Sequence, residues 1–126
     1  MSFNTISVVG LGYIGLPTAA MFASKENKVI GVDVNQYAVD TINSGKIHIV
    51  EPELDAIVKK AVDGGFLKAT TSPEPADAFL IAVPTPFLHA NAEDSIPEPD
   101  LSYIEAAAKA VARVLKKGDL VILEST

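Results

Sequence analysis

The amino-acid sequence predicts an α/β protein: a doubly wound, mostly parallel sheet in three layers, α/β/α. Short β-type apolar runs alternate along the chain with stretches of helical periodicity. One run, Phe79-Leu80-Ile81-Ala82-Val83, is apolar at every position, as a central strand covered on both faces must be. The chain has 126 residues, 48% hydrophobic and 21% charged, which suits one domain. A chain of this size buries roughly two-thirds of its extended surface, enough for a real core.

The first element is Ile6-Ser7-Val8-Val9, a strand ending in glycine. Residues 13–24 are nearly all apolar or small and read as a buried helix. Pro17 is tolerated there because a proline in the first turn loses no hydrogen bond. Val29–Val32 is the second strand, 35–43 a short helix, and Gly45 its stop. A further helix starts near Glu51-Pro52, with Leu54, Ile57, Val58, Ala61 and Val62 as one apolar stripe. Phe66–Thr71 alternates weakly and reads as an edge strand. Asp100 is the expected N-cap of a helix carrying Leu101, Ile104, Ala108, Val111 and Leu115 on one face. Leu120–Leu123 is the fifth strand. Between the last two strands, residues 84–100 hold four of the eight prolines and four acids. A loop of that length is functional or mobile, and Glu93–Pro99 is expected to move more than the strands around it.

Composition narrows the chemistry. The chain has no cysteine, so it carries no disulfide, thiolate zinc site or nucleophilic thiol of its own. Net charge is −6, with the acids concentrated between 33 and 100. Lysine and arginine total 10 and pair only at Lys59-Lys60 and Lys116-Lys117. Nucleic acid and anionic membranes are therefore poor partners. No apolar run reaches membrane-spanning length, and no basic region precedes a hydrophobic stretch at the N-terminus. A cytoplasmic protein is expected. An anion bound here must be held by backbone geometry.

Gly10-Leu11-Gly12-Tyr13-Ile14-Gly15 supplies such geometry. It is a G-x-G-x-x-G sequence that leaves an apolar strand and opens a helix, and the next strand ends in Asp33, 18 residues after Gly15. Gly10 permits the tight turn, Gly12 lets backbone approach a pyrophosphate, and Gly15 lets helix and sheet pack closely. The free N–H groups of the helix start face the phosphates. Asp33 is placed to accept both adenosine ribose hydroxyls and to repel a 2′-phosphate, and no arginine follows it in Val34-Asn35-Gln36. That favours NAD over NADP. The whole reads as a Rossmann-type domain. Thr85, in Pro84-Thr85-Pro86, is either a cofactor contact at the carboxyl edge of the sheet or part of a rigid turn. The same holds for Glu124-Ser125-Thr126. His48 and His89 have no partner at ligand spacing, so no metal is expected. Glu51 and Glu53 are expected to serve a helix N-terminus electrostatically, and Tyr37 and Tyr103 to pack.

Gly10 through Pro17 resembles the opening of the UDP-glucose/GDP-mannose dehydrogenase family. Val32-Asp33-Val34-Asn35, Ile42-Asn43-Ser44-Gly45, Glu51-Pro52-Glu53-Leu54, Val83-Pro84-Thr85-Pro86 and Glu124-Ser125-Thr126 follow in the family's order. The resemblance covers all 126 residues. It implies an NAD-binding domain at 1–126, the N-terminal part of a longer dehydrogenase that works as a homodimer. It also implies oxidation of the C6 alcohol of a nucleotide sugar to a carboxylate with two NAD⁺. Tyr13, Ile14, Asp33, Thr85 and Thr126 match the family's NAD-contacting positions. The family's catalytic cysteine and lysine lie further along, so no catalytic residue is expected here. Ile47–Pro52 and Leu80–Phe87 point within the family to UDP-N-acetyl-D-mannosamine as the sugar nucleotide. UDP-glucose is the runner-up, and a non-catalytic NAD(H)-binding module the alternative of a different class. The acidic stretch from Glu93 to Asp100 is longer than the family pattern.

Overall fold

A computed structural model of the protein describes residues 4–86 and 98–124. The elements are β1 (Thr5–Val9), α1 (Gly15–Ser24), β2 (Lys28–Val32), α2 (Gln36–Asn43), α3 (Leu54–Asp63), β3 (Leu67–Thr70), β4 (Ala78–Ile81), α4 (Ser102–Ala112) and β5 (Leu120–Leu123). The strands lie in the order β3-β2-β1-β4-β5. Every pairing is parallel. The doubly wound α/β/α expectation holds. Val9 stands level with Val32 on one side and Ile81 on the other, so the carboxyl ends of the three central strands finish on one edge.

The two faces are covered unequally. Val8, Val29, Leu67 and Ala69 pack under α1, α2 and α3 through Leu16, Ala20, Val39, Ile42, Leu54 and Val58. On the opposite face, among the described residues, Val9, Ile30, Val32, Phe79 and Ile81 pack with Ala107 and Val111 of one helix, α4, and with Ala76, Val83 and Val114. The reason is the β3–β4 connection, residues 71–77, which crosses from one side of the sheet to the other without a helix. That leaves part of the second face open next to α4.

Several boundaries depart from the sequence reading. Helix α1 begins at Gly15 rather than residue 13, because residues 11–14 form the turn. Pro52 precedes α3; its N-cap is Glu53 in a left-handed conformation, φ 66°, which costs a non-glycine residue about 1 kcal/mol. Ile57 leaves the expected stripe and is exposed. In α4 the N-cap position falls on Leu101, and Asp100, one residue earlier, accepts the Ser102 N–H. Its buried face is Ala107 and Val111, whereas Leu101 and Leu115 are exposed.

Two polar devices finish the sheet. At the β3 edge the Asn43 side chain acts as a substitute strand: its Oδ1 accepts the Ala69 N–H at 2.8 Å, and its Nδ2 donates to the Ala69 carbonyl at 2.9 Å. The groups an edge strand would leave open are thereby paired. At the amino edge Asp77 Oδ2 accepts from the Asn4 and Thr5 N–H groups. Lys116 Nζ donates to the Ala76 carbonyl and to Asp119 Oδ1, and lies 3.6 Å from Asp77 Oδ1. The clip ties β1, β4 and the start of β5 together. Asp77 and Lys116 are partly exposed, so its value lies in holding geometry more than in net ion-pair energy.

Asn43→Ala orphans two part-buried backbone groups and is expected to cost about 1–3 kcal/mol. A lowered urea midpoint at unchanged slope checks this. The hydrogen bond from Lys116 holds the Asp119 carboxyl below its ordinary value, and the same bond raises Lys116. The Asp119 contribution is thus complete above about pH 4 and fades as pH falls through its lowered value. The Lys116 contribution is complete below about pH 10 and fades as pH rises beyond it. Asp119→Asn should flatten the acid limb of a stability–pH curve.

Candidate functional site

Strands β1, β2 and β3 proceed to one side, and β4 then returns to the other side of β1. The loops leaving β1 and β4 diverge there, which opens a crevice beyond the carboxyl edge. A cleft of about 880 Å³ occupies this place. Its floor is the turn 10–14 and its flank is Asp33–Asn35. Thr71, Pro73 and the Ala82–Pro84 segment close one side, and Tyr103, Ala106, Ala107 and Ala110 of α4 the other.

The glycine turn is packed to backbone contact. Gly10 has φ +100°, and a Cβ there would come 2.6 Å from the Ala82 carbonyl oxygen. A Cβ on Gly15 would collide with the Gly10 carbonyl oxygen. These two glycines are required by the fold itself. Gly12 differs: its φ is ordinary, and a Cβ there would meet nothing within 4 Å. No packing inside the described residues asks for a glycine at 12. The open space beside it is what a close-lying ligand needs.

The amides of the turn divide in the same way. Gly10 N–H donates to the Val32 carbonyl at 2.7 Å, and Leu11 N–H donates to Asp33 Oδ2 at 3.0 Å. Among the described residues, the N–H groups of Gly12, Tyr13, Ile14 and Gly15 have no acceptor. The Gly15 N–H is an orphan donor of α1 and the other three lie in the turn that leads into it; the N-cap Ile14 offers no side-chain cap and the first turn has no acid. Among the described residues no side-chain cap and no first-turn acid neutralises the positive end of this helix, so an anion fits it. Asp33 Oδ1 also accepts from the Asn35 N–H at 2.9 Å, and Asn35 caps α2 through the Ala38 N–H. Two lone-pair sites of the Asp33 carboxylate remain for a vicinal diol. A dinucleotide fits this arrangement: pyrophosphate at Gly12–Ile14, ribose at Asp33.

The structure brings Gly10, Gly12, Tyr13, Ile14 and Asp33 to the cleft, with Gly15 directly behind it. Tyr13 is 63% exposed at the mouth. Thr85 is half-buried and does not line the cleft. Thr126, His89 and residues 93–97 of the acidic stretch, on which the expectation of motion falls, lie outside the described residues; Glu98 and Pro99 are exposed. Asp100 N–H bonds to the Pro86 carbonyl, which draws the two ends of that segment together. The Asp100 carboxyl is held low by hydrogen bonds from Ser102, first its side chain and then its backbone. His48 keeps a buried Nδ1 without a partner among the described residues. Tyr103 lines the cleft and Tyr37 stands largely exposed, so neither is the packing residue expected. Sequence reasoning also missed Thr71, Pro73 and the alanine face of α4. The clustering Ala106-Ala107-Ala108 was the available signal, since small residues leave room for a flat ligand.

Fold and site together define a dinucleotide-binding domain. Residues 4–126 match the NAD binding domain of the UDP-glucose/GDP-mannose dehydrogenase family, and the chain belongs to that family. NAD is the cofactor of this domain. An NDP-N-acetyl-D-galactosaminuronic acid dehydrogenase of Ralstonia nicotianae is 69% identical over the whole chain, which covers 28% of that protein. A UDP-N-acetyl-D-mannosamine dehydrogenase of Salmonella typhi is 68% identical over the whole chain and 29% of its own length. The native structure of the UDP-N-acetyl-mannosamine dehydrogenase from Staphylococcus aureus matches 97% of this chain and 29% of that one, with a TM-score of 0.87 at 44% identity. The chain thus spans less than a third of the relatives it matches. No helix among the described residues is long and apolar enough to cross a membrane.

Gly15→Ala should abolish folding, because the clash is with backbone. Gly12→Ala should keep the wild-type melting temperature within a few degrees and bind NAD⁺ at least about tenfold more weakly. Thermal melts of the two variants, with calorimetric titration of the second, check the contrast.

Proposed function

We propose that this domain serves a dehydrogenase that oxidises the C6 alcohol of UDP-N-acetyl-D-mannosamine to a carboxylate in two steps. When bound, NAD⁺ supplies the hydride acceptor for each. The observation that carries the reading is the pairing of the unfilled Gly12–Ile14 amide cradle with Asp33 at one crevice. In it, Gly12, Tyr13 and Ile14 bind the pyrophosphate through their N–H groups. Asp33 orients the adenosine ribose, and the alanine face of α4 shields the adenine side from water. Thr85 and Thr126 are assigned to NAD by their match to the family's NAD-contacting positions, Thr85 from the segment that follows β4. The thiol that carries the aldehyde between the two oxidations lies outside these 126 residues, which contain no cysteine. We assign the whole protein to the cytoplasm as a homodimer, with this chain as its N-terminal domain.

The choice of sugar rests on relatives at 67–69% identity over the full chain, whose names carry N-acetylated amino sugars. The Ralstonia relative supports a second reading, an NDP-N-acetyl-D-galactosamine-type substrate. A solved UDP-glucose dehydrogenase from Pyrobaculum islandicum, at 38% identity, keeps UDP-glucose as a further comparison.

The full-length protein should release two NADH per UDP-N-acetyl-D-mannosamine consumed, and the 126-residue chain none. NADH from the short chain would place the chemistry in residues assigned here to binding. Turnover of one of the other two nucleotide sugars in preference would transfer the substrate assignment to it. NADP⁺ should bind more than about tenfold more weakly than NAD⁺, since like-charge juxtaposition with Asp33 costs several kcal/mol. Tighter NADP⁺ binding in calorimetry contradicts the role given to Asp33.

A further inference from the structure

Asp33 already has partners in the structure without any ligand. Its Oδ2 takes the N–H of Leu11, a residue with no exposed surface, across 22 positions of sequence. Its Oδ1 takes the N–H of Asn35, which caps α2. In the turn, Gly10 N–H is anchored on Val32 and Leu11 N–H on Asp33. Among the described residues the amides of Gly12 to Gly15 have no acceptor, and no atom stands within 4 Å of a Cβ built on Gly12. The Asp33 carboxylate is therefore the last fixed point of the chain before the phosphate-binding amides.

We propose that Asp33 is a positioning residue for the phosphate turn in addition to its contact with the ribose. Resting on the NAD reading above, this makes one carboxylate the mechanical link between the two ends of the ADP moiety. Removing it leaves the Leu11 N–H buried without an acceptor and lets the next three amides lose their common aim. The bond is charge-assisted and part-buried, so salt screens it little. A role confined to the ribose leaves the turn in place when Asp33 is absent. A role through the turn does not.

The test pairs two ligands with three proteins. Full-length wild type, Asp33→Ala and Asp33→Asn are titrated calorimetrically with NAD⁺ and with its analogue lacking both hydroxyls on the adenosine ribose. Asp33→Ala should weaken NAD⁺ binding by about 10- to 150-fold. It should also weaken the analogue, by about fivefold to tenfold, although the analogue has no hydroxyl for Asp33 to hold. Asp33→Asn keeps one acceptor oxygen and the side-chain shape, so it should recover part of the analogue affinity, and it serves if the alanine variant fails to fold. Amide hydrogen exchange separates positioning from general weakening. Exchange at Gly10 and Leu11, the two bonded amides of the turn, should quicken in Asp33→Ala while β4 and β5 keep wild-type rates. Equal analogue affinity in wild type and both variants, or faster exchange throughout the sheet, would overturn the proposal. Wild type that binds neither ligand would overturn the NAD reading, and the proposal with it.

Discussion

Everything at the carboxyl edge depends on one close approach. The end of β1, the start of α1 and the exit of β4 meet at backbone-to-backbone distance, with Gly10 against Ala82 and Gly15 against Gly10. A Cβ on Gly15 would collide with the Gly10 carbonyl oxygen and force α1 outward, and a Cβ on Gly10 would press on the Ala82 carbonyl at the exit of β4. The helix start would then leave the crevice between β1 and β4, and the orphan amides would face solvent. The dense alanine packing of α1, with Ala19, Ala20 and Ala23 buried, continues the same constraint along the helix. A helix that starts this close to the sheet must stay close to it.

That geometry resolves an electrostatic difficulty. The chain carries a net charge of −6, yet its cleft suits a doubly charged pyrophosphate. Among the described residues no lysine or arginine lines the cleft. Attraction comes instead from dipoles fixed by the fold, at a helix end without an acidic cap. Fixed dipoles need no reorganisation when the ligand arrives. They demand, in return, that the turn be held from behind. The bonds from Gly10 to Val32 and from Leu11 to Asp33 meet that demand by fastening the turn to β2.

Stability is concentrated at the opposite edge. Asp77, Lys116 and Asp119 clamp the amino ends of β1, β4 and β5, and Asn43 seals the β3 border. Substitutions there change folding with little reach into the cleft, since the length of the strands separates the two edges. The far border is different in kind. Leu120, Val121, Ile122 and Leu123 of β5 are all exposed, on both faces of the strand. The unequal cover of the sheet has the same origin as the cleft. A helix-free passage from β3 to β4 leaves the face beside α4 open, and the ligand space extends into it.

The sequence by itself determined the local part. The strand and helix periods, the glycine turn and Asp33 at the end of β2 are set by short-range rules, because each depends on residues within about twenty positions. Gly10 and Gly15 were legible for that reason. Only the tertiary structure decided the rest. Thr71, Pro73 and the alanine face of α4 reach the cleft because β4 returns across β1, an event no local pattern encodes. Of the stripe expected on α4, Val111 is buried as expected, but Leu101, Ala108 and Leu115 are exposed and Ala107 takes the other buried place. Asn43 read as the end of a helix and proved also to be the partner of Ala69, 26 positions away. Asp33 was legible as a ligand contact but not as the anchor of Leu11, because a hydrogen bond between distant strand ends exists only once the sheet has formed.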